Sequence, residues 1–194
     1  MKIMSLNVRS LNQEGNFGWV KNLCVSERPN IAVFQETKCH EINSNWLERL
    51  WGSCNFWFIQ KQIEGKSGGM LTIWDCNSFE VLDHIIGEFF IVIKGKWKGL
   101  SQESTIVNVY GPHNDRDKNK MWGMLERLVS SEDTAWVVCG DFNEVRNQTE
   151  RFNSVFHEYR AVEFNNFIEK SGLIDVPLGG RKFTRMSEDG NLVS

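Results

Sequence analysis

Ala135-Trp136-Val137-Val138-Cys139-Gly140-Asp141-Phe142-Asn143 runs five apolar residues straight into a glycine, an acid and an amide. An apolar run of this length reads as a buried strand, and Gly140 ends it in a turn. The turn then carries a carboxylate and a carboxamide directly off the strand end. Rims built from strand ends are where layered α/β proteins place their sites.

Three more strands end the same way. Ile3 to Leu6 delivers Asn7, Asn30 to Gln35 (NIAVFQ) delivers Glu36, and Thr105 to Val109 delivers Tyr110. Each has an ordinary reading by itself. Asn7 suits a turn, Glu36 a solvated position after a strand, and Tyr110-Gly111-Pro112 is a turn signal. Jointly they are two carboxylates (Glu36, Asp141), two amides (Asn7, Asn143) and a phenol (Tyr110). That hard, oxygen-rich set suits Mg²⁺ or Mn²⁺ and suits zinc poorly.

Between these strands the period changes. Trp19, Val20, Leu23 and Cys24 recur at helical spacing, with Pro29 just beyond. Trp46, Leu47, Leu50 and Trp51 mark a second helix, Met121, Trp122, Leu125 and Leu128 a third, and about Tyr159 to Lys170 a fourth, which Gly172 stops. Strand character fills 55–60, 70–74, 79–86, 89–97 and 105–110, punctuated by glycines. Helices separate some strands and hairpins join others. The mixture predicts an α/β fold of two packed mixed β-sheets flanked by helices, a four-layer α/β/β/α sandwich. No repeat or linker divides the chain, so residues 1–194 read as one domain.

Composition narrows the function. The 194 residues are 41% hydrophobic, 12% aromatic and 24% charged, with 3 prolines, enough for one sizeable core. Net charge is −3, so phosphate binding must rest on local features or a metal rather than on overall basicity. The five cysteines are Cys24, Cys39, Cys54, Cys76 and Cys139, an odd number with no CxxC pair, which argues against a disulfide framework and a structural zinc site. No signal-peptide region opens the chain and the most apolar run, Phe89 to Ile93, is too short for a membrane span. These features predict a nuclear or cytoplasmic, non-secreted monomer without a membrane partner.

Ser5-Leu6-Asn7, Gln35-Glu36-Thr37, Asn108-Val109-Tyr110-Gly111-Pro112 and Gly140-Asp141-Phe142-Asn143, in that order, resemble the endonuclease/exonuclease/phosphatase superfamily, whose fold is DNase I-like. Gly140 to Phe152 (GDFNEVRNQTERF) and Gly179-Gly180-Arg181-Lys182-Phe183-Thr184 are most similar to the apurinic/apyrimidinic-type endonuclease domain of plant LINE-type (non-LTR) retrotransposons, which precedes a reverse transcriptase. The resemblance implies in-line hydrolysis of a DNA phosphodiester with Mg²⁺ or Mn²⁺. It implies that Glu36 is the metal carboxylate with Asn7 beside the ion, and that Tyr110 supports the pentacovalent phosphate. Asp141 then orients and activates water, Asn143 holds phosphate or that water, and Thr184 matches a late family threonine. Arg185 stands where a Trp is common.

The family pattern finishes with an Asp that orients a His in a terminal Ser-Asp-His motif. Here the sequence ends at Ser194, and His40, His84, His113 and His157 match nothing in the pattern. The expectation is a C-terminally truncated copy lacking its last strands, with metal binding retained and hydrolysis impaired. Two other functions stay open: a small-molecule or lipid phosphatase or phosphodiesterase of the same superfamily, and a non-enzymatic relic fold that binds DNA weakly.

Fainter signals surround this core. Arg146 and Arg151 follow the Asp141 turn and are candidates to contact a backbone phosphate, or are solvated loop arginines. Lys94, Lys96 and Lys98 share one face of an extended run; an edge strand guarded by lysines is favoured over a phosphate-tracking stripe. Lys66-Ser67-Gly68-Gly69 reads as a hairpin turn, and Trp19, Trp74, Trp136 and Phe167 as core.

Overall fold

Every residue of the strand Ile31–Gln35 is buried, which requires a packed layer on each of its faces. The computed structural model describes residues 1–64, 67–100, 102–151 and 155–176, and it supplies both layers. The first sheet contains β1 (Ile3–Asn7), β2 (Ile31–Gln35), β3 (Phe56–Glu64) and β4 (Ser67–Asp75) in the order β1-β2-β4-β3. The second contains β5 (Phe79–Ile86), β6 (Phe90–Trp97), β7 (Glu103–Tyr110) and β8 (Ala135–Asp141) in sequence order. Each sheet has one parallel pair, β1 with β2 and β7 with β8, and the remaining pairs are antiparallel. Two packed mixed β-sheets flanked by helices is thus the observed fold class.

Parallel neighbours need a crossover, and helices provide it. α1 (Glu14–Glu27) connects β1 to β2, and α3 (Asp115–Val129) connects β7 to β8. Parallel register then sets the future site. Asn7 pairs with Gln35, and Tyr110 with Asp141, so in each sheet two polar strand ends stop at the same level.

The chain forms two compact units. The first, Met1–Tyr110 with Thr134–Asp141, holds both sheets, α1 and α2 (Ser44–Trp51). Alternation along β2 divides its core. Ile31 and Val33 meet Trp74, Phe79, Ile93, Trp97 and Ile106 between the sheets. Ala32 and Phe34 face the other way, onto Val20, Cys24, Leu47 and Leu50 of α1 and α2. α2 starts at Asn43, whose side chain accepts the Trp46 N–H, and ends at left-handed Gly52.

The second unit, Gly111–Asp133 with the described residues from Phe142 onward, holds α3 and α4 (Glu158–Lys170). Asn114 caps α3 by accepting the Asp117 N–H, and Asp115 and Asp117 place negative charge at its N-terminus. Trp122 of α3 stacks on Phe164 and Phe167 of α4, with both centroid separations 5.0 Å. Among the described residues no helix is long and apolar enough to cross a membrane.

Two sequence expectations are corrected. Trp19 is 50% exposed although it sits at helical spacing with core residues, because α1 buries only the Val20 and Cys24 stripe. The lysine run is not on an edge: β6 is hydrogen-bonded on both sides. Lys94 and Lys96 instead pair with Glu103 of β7, at 3.5 and 3.4 Å, so β7 neutralises part of the stripe.

Burial pushes the Cys24 and Cys139 thiols up from 9.0 to about 12. The raised values keep both thiols neutral in the folded state while an unfolded chain would ionise them. Their contribution to stability is complete below pH 9 and is lost as pH rises towards about 12. Iodoacetamide at pH 8 is expected to label exposed Cys54 first and to spare Cys24 and Cys139 until denaturant is added. Peptide mapping reads this directly; early labelling of Cys139 would show the β7–β8 region to be open.

Candidate active site

Four of the strand-end residues meet around one amide. Asn7 Nδ2, at the end of β1, donates to Glu36 Oε1 at 3.0 Å and to Asp141 Oδ2 at 2.6 Å. Its Oδ1 accepts the Arg9 backbone N–H at 3.1 Å. A backbone N–H can only donate, so the orientation of this amide is dictated by its surroundings. Tyr110 OH, at the end of β7, donates to the same Glu36 Oε1 at 3.0 Å. The cluster is half-buried and draws on both sheets of the first unit: β1 and the residue after β2 on one side, β7 and β8 on the other.

The backbone is bent to achieve this. Glu36 has φ +53, a left-handed conformation that costs an L-residue about 1 kcal/mol. Such strain concentrates at functional sites, where surrounding contacts must hold it. Here Thr37 N–H and Lys38 N–H donate to the Gly69 and Gly68 carbonyls of β4, at 3.1 and 3.2 Å. Gly69 has φ +81, and a Cβ there would lie 2.6 Å from Thr37 Oγ1. The Gly68-Gly69 pair therefore serves the Glu36 turn as well as the β3–β4 hairpin. Gly140 has a related reason: with φ +141, its Cβ would fall 2.0 Å from the Val109 carbonyl oxygen. Only glycine lets β8 approach β7 closely enough to present Asp141 level with Tyr110.

A polar network under the cluster escaped the sequence reading. Gln35 Nε2 donates to Asn108 Oδ1 at 2.7 Å, joining β2 of one sheet to β7 of the other. Asn108 Nδ2 in turn lies 3.2 Å from both the Leu71 carbonyl and Thr72 Oγ1. Gln35, Asn108 and Thr72 are each at most 1% exposed. The amides lie one residue before Glu36 and two before Tyr110, so they fix the sheet-to-sheet register just beneath the site. The available signal was a polar residue inside each of two otherwise apolar strands, NIAVFQ and TIVNVY.

The remaining candidates belong to the second unit. Asn143 has φ +51, and its Nδ2 donates to the Gly111 carbonyl at 2.6 Å. Arg146 is held by α4: its Nε donates to Asn165 Oδ1 at 2.8 Å and its Nη1 pairs with Asp175. Arg151 donates to the Val155 carbonyl at 2.6 Å and pairs with Glu144 at 3.6 Å. Thr184, Gly179 to Phe183 and Arg185 lie outside the described residues.

The model of the Endonuclease/Exonuclease/phosphatase family matches residues 4–185. The chain belongs to that family. Among curated proteins no relative matches by sequence. Solved structures of family members share the fold. The 3′ phosphatase NExo from Neisseria, bound to a product DNA hairpin, superposes with TM-score 0.67 at 16% identity over 88% of this chain and 71% of its own. An AP endonuclease from Archaeoglobus fulgidus gives 0.64 at 20% identity, covering 87% and 70%. AP endonuclease LMAP from Leishmania major gives 0.66 at 15% identity, covering 88% and 66%.

Family members generally use divalent metals, and the donors present here fit one. Glu36 Oε1 is occupied by Asn7 and Tyr110, whereas Oε2 receives no hydrogen bond and Glu36 makes no ion pair among the described residues. Two carboxylates drawn to one amide repel each other unless a cation joins them. All donors are oxygen. Mg²⁺ and Mn²⁺ keep several waters and are commonly held by one or two carboxylates. Among the described residues no group of three or more His, Cys, Asp or Glu could hold a metal.

Proposed function

We propose that the chain is a divalent-metal-dependent DNA endonuclease domain of the apurinic/apyrimidinic type, of retrotransposon origin. One observation carries the reading: four strands from two sheets bring Asn7, Glu36, Tyr110 and Asp141 onto one hydrogen-bonded cluster. The retrotransposon origin is supported by the sequence from Gly140 to Phe152. A DNA substrate is supported by that same likeness.

Glu36 and Asn7 would hold Mg²⁺ or Mn²⁺. Bound there, the ion would act as a Lewis acid on a nonbridging phosphate oxygen. Asp141 is fixed by Asn7 at 2.6 Å as a carboxylate acceptor, suited to orienting a water and taking its proton. Tyr110, whose O–H is held on Glu36 Oε1 at 3.0 Å, would turn that donor to charge that builds on phosphate oxygens. Asn143, two residues further along the chain, is assigned to the phosphate or the water.

The test offers three substrates to one preparation with Mg²⁺ or Mn²⁺: supercoiled plasmid, phosphorylated inositols and a phosphorylated lipid. Nicking of plasmid above the other turnovers is the expected result. Inositol or lipid turnover without nicking would establish the phosphatase alternative. Weak DNA binding with no turnover of any of the three would overturn the proposal in favour of the relic fold.

A further inference from the structure

Lys118 of α3 and Glu144 make an ion pair at 2.5 Å, with side chains only 4% and 3% exposed. A buried pair of this kind gives little net stability, because desolvating both charges offsets their attraction. It nevertheless sits beside a strained backbone. The same Lys118 Nζ donates to the Asn143 carbonyl at 2.6 Å, and Asn143 is the residue with φ +51. Arg151 approaches the other oxygen of Glu144, Oε1, at 3.6 Å. The carboxylate thus lies between two cations, one of which grips the turn.

We propose that Lys118 and Glu144 are positioning residues whose work is to hold Asn143 in its left-handed conformation, aiming its side-chain amide. An ammonium is suited to this. It donates to the Asn143 carbonyl and the Glu144 carboxylate at once, and those acceptors belong to consecutive residues. At its far end, the Asn143 amide donates to the Gly111 carbonyl at 2.6 Å, so carbonyl and side chain are fixed from two directions. The importance of Asn143 to phosphate rests on the proposed endonuclease reading; its positioning by Lys118 does not.

The test uses Lys118→Met and the double variant Lys118→Met/Glu144→Gln. The single variant leaves the buried Glu144 carboxylate with only the longer Arg151 contact, at 3.6 Å, and is expected to melt lower. The double variant removes both charges and is expected to melt close to the parent. The deciding signal is the Asn143 side-chain amide in a ¹⁵N–¹H spectrum, assigned by its loss in Asn143→Ala. In the parent its hydrogen bond to the Gly111 carbonyl is expected to slow its exchange. In the double variant it is expected to move and to exchange freely although the fold is restored, and nicking is expected to fall about 10²-fold in kcat with KM little changed. A parental Asn143 signal in the double variant would overturn the proposal. A displaced signal with unchanged nicking would uphold the positioning and remove Asn143 from the catalytic reading.

Discussion

Glu36→Gln is expected to lower plasmid nicking by about 10²-fold or more, and Asp141→Asn to do as much, without loss of melting temperature. Both changes preserve shape and remove one negative charge. In the metal-free protein the two carboxylates share the Asn7 amide, at 3.0 and 2.6 Å, and repel each other. Removing one charge relieves that repulsion, so the variants should melt at the parental temperature or slightly above it, as functional sites often exchange stability for activity. A structural role for these acids predicts the opposite: lower melting with nicking preserved per folded molecule. Nicking rates and thermal melts on the same preparations separate the two.

Asn108→Leu is expected to cost roughly 3–5 kcal/mol, which for a chain of this size lowers Tm by roughly 10 °C. Leucine keeps the branching of asparagine, but Gln35 Nε2 loses its 2.7 Å acceptor and Thr72 Oγ1 its 3.2 Å partner, both in the buried space between the sheets. Unsatisfied polar groups there have no water to turn to. The double variant Gln35→Leu/Asn108→Leu should recover part of the loss, since it removes both amides of the broken contact. Circular dichroism melts read both. A single-variant cost under about 1 kcal/mol would mean that the network is bridged by water rather than sealed.

The strands were legible because a covered strand writes itself as an uninterrupted apolar run: IAVF is buried on both faces, whereas AWVVC, expected to be buried, is only half-buried in the terminal strand β8. The four site residues were legible for a related reason, since each stands at or just past the end of a largely apolar strand. What pulls them together was not. Nothing local says that Asn7 spans Glu36 and Asp141, because that depends on parallel register in each sheet and on the packing of the sheets. The Gln35–Asn108 bond was hidden similarly; each amide looks like an ordinary strand residue until its partner 73 positions away is known. Lys94 and Lys96 misled for the converse reason. A polar outer face looks the same from sequence whether the strand is at an edge or, as here, beside a β7 that supplies Glu103. Lys118 carried no signal at all: one lysine in a polar helix start is ordinary, and only its pairing with Glu144 makes it notable.

On the proposed function, Glu36, with Asn7 beside it, holds a divalent metal where strand ends of the two sheets meet. Calorimetric titration of the DNA-free protein with Mn²⁺ tests it without recourse to activity. One saturable site is expected in the parent, with affinity weakened about 10-fold or more in Asn7→Leu, which takes the amide from beside the ion and releases both carboxylates that it holds, and with binding lost in Glu36→Gln. Equal Mn²⁺ binding by the parent and Glu36→Gln, or no binding by the folded parent, would contradict it.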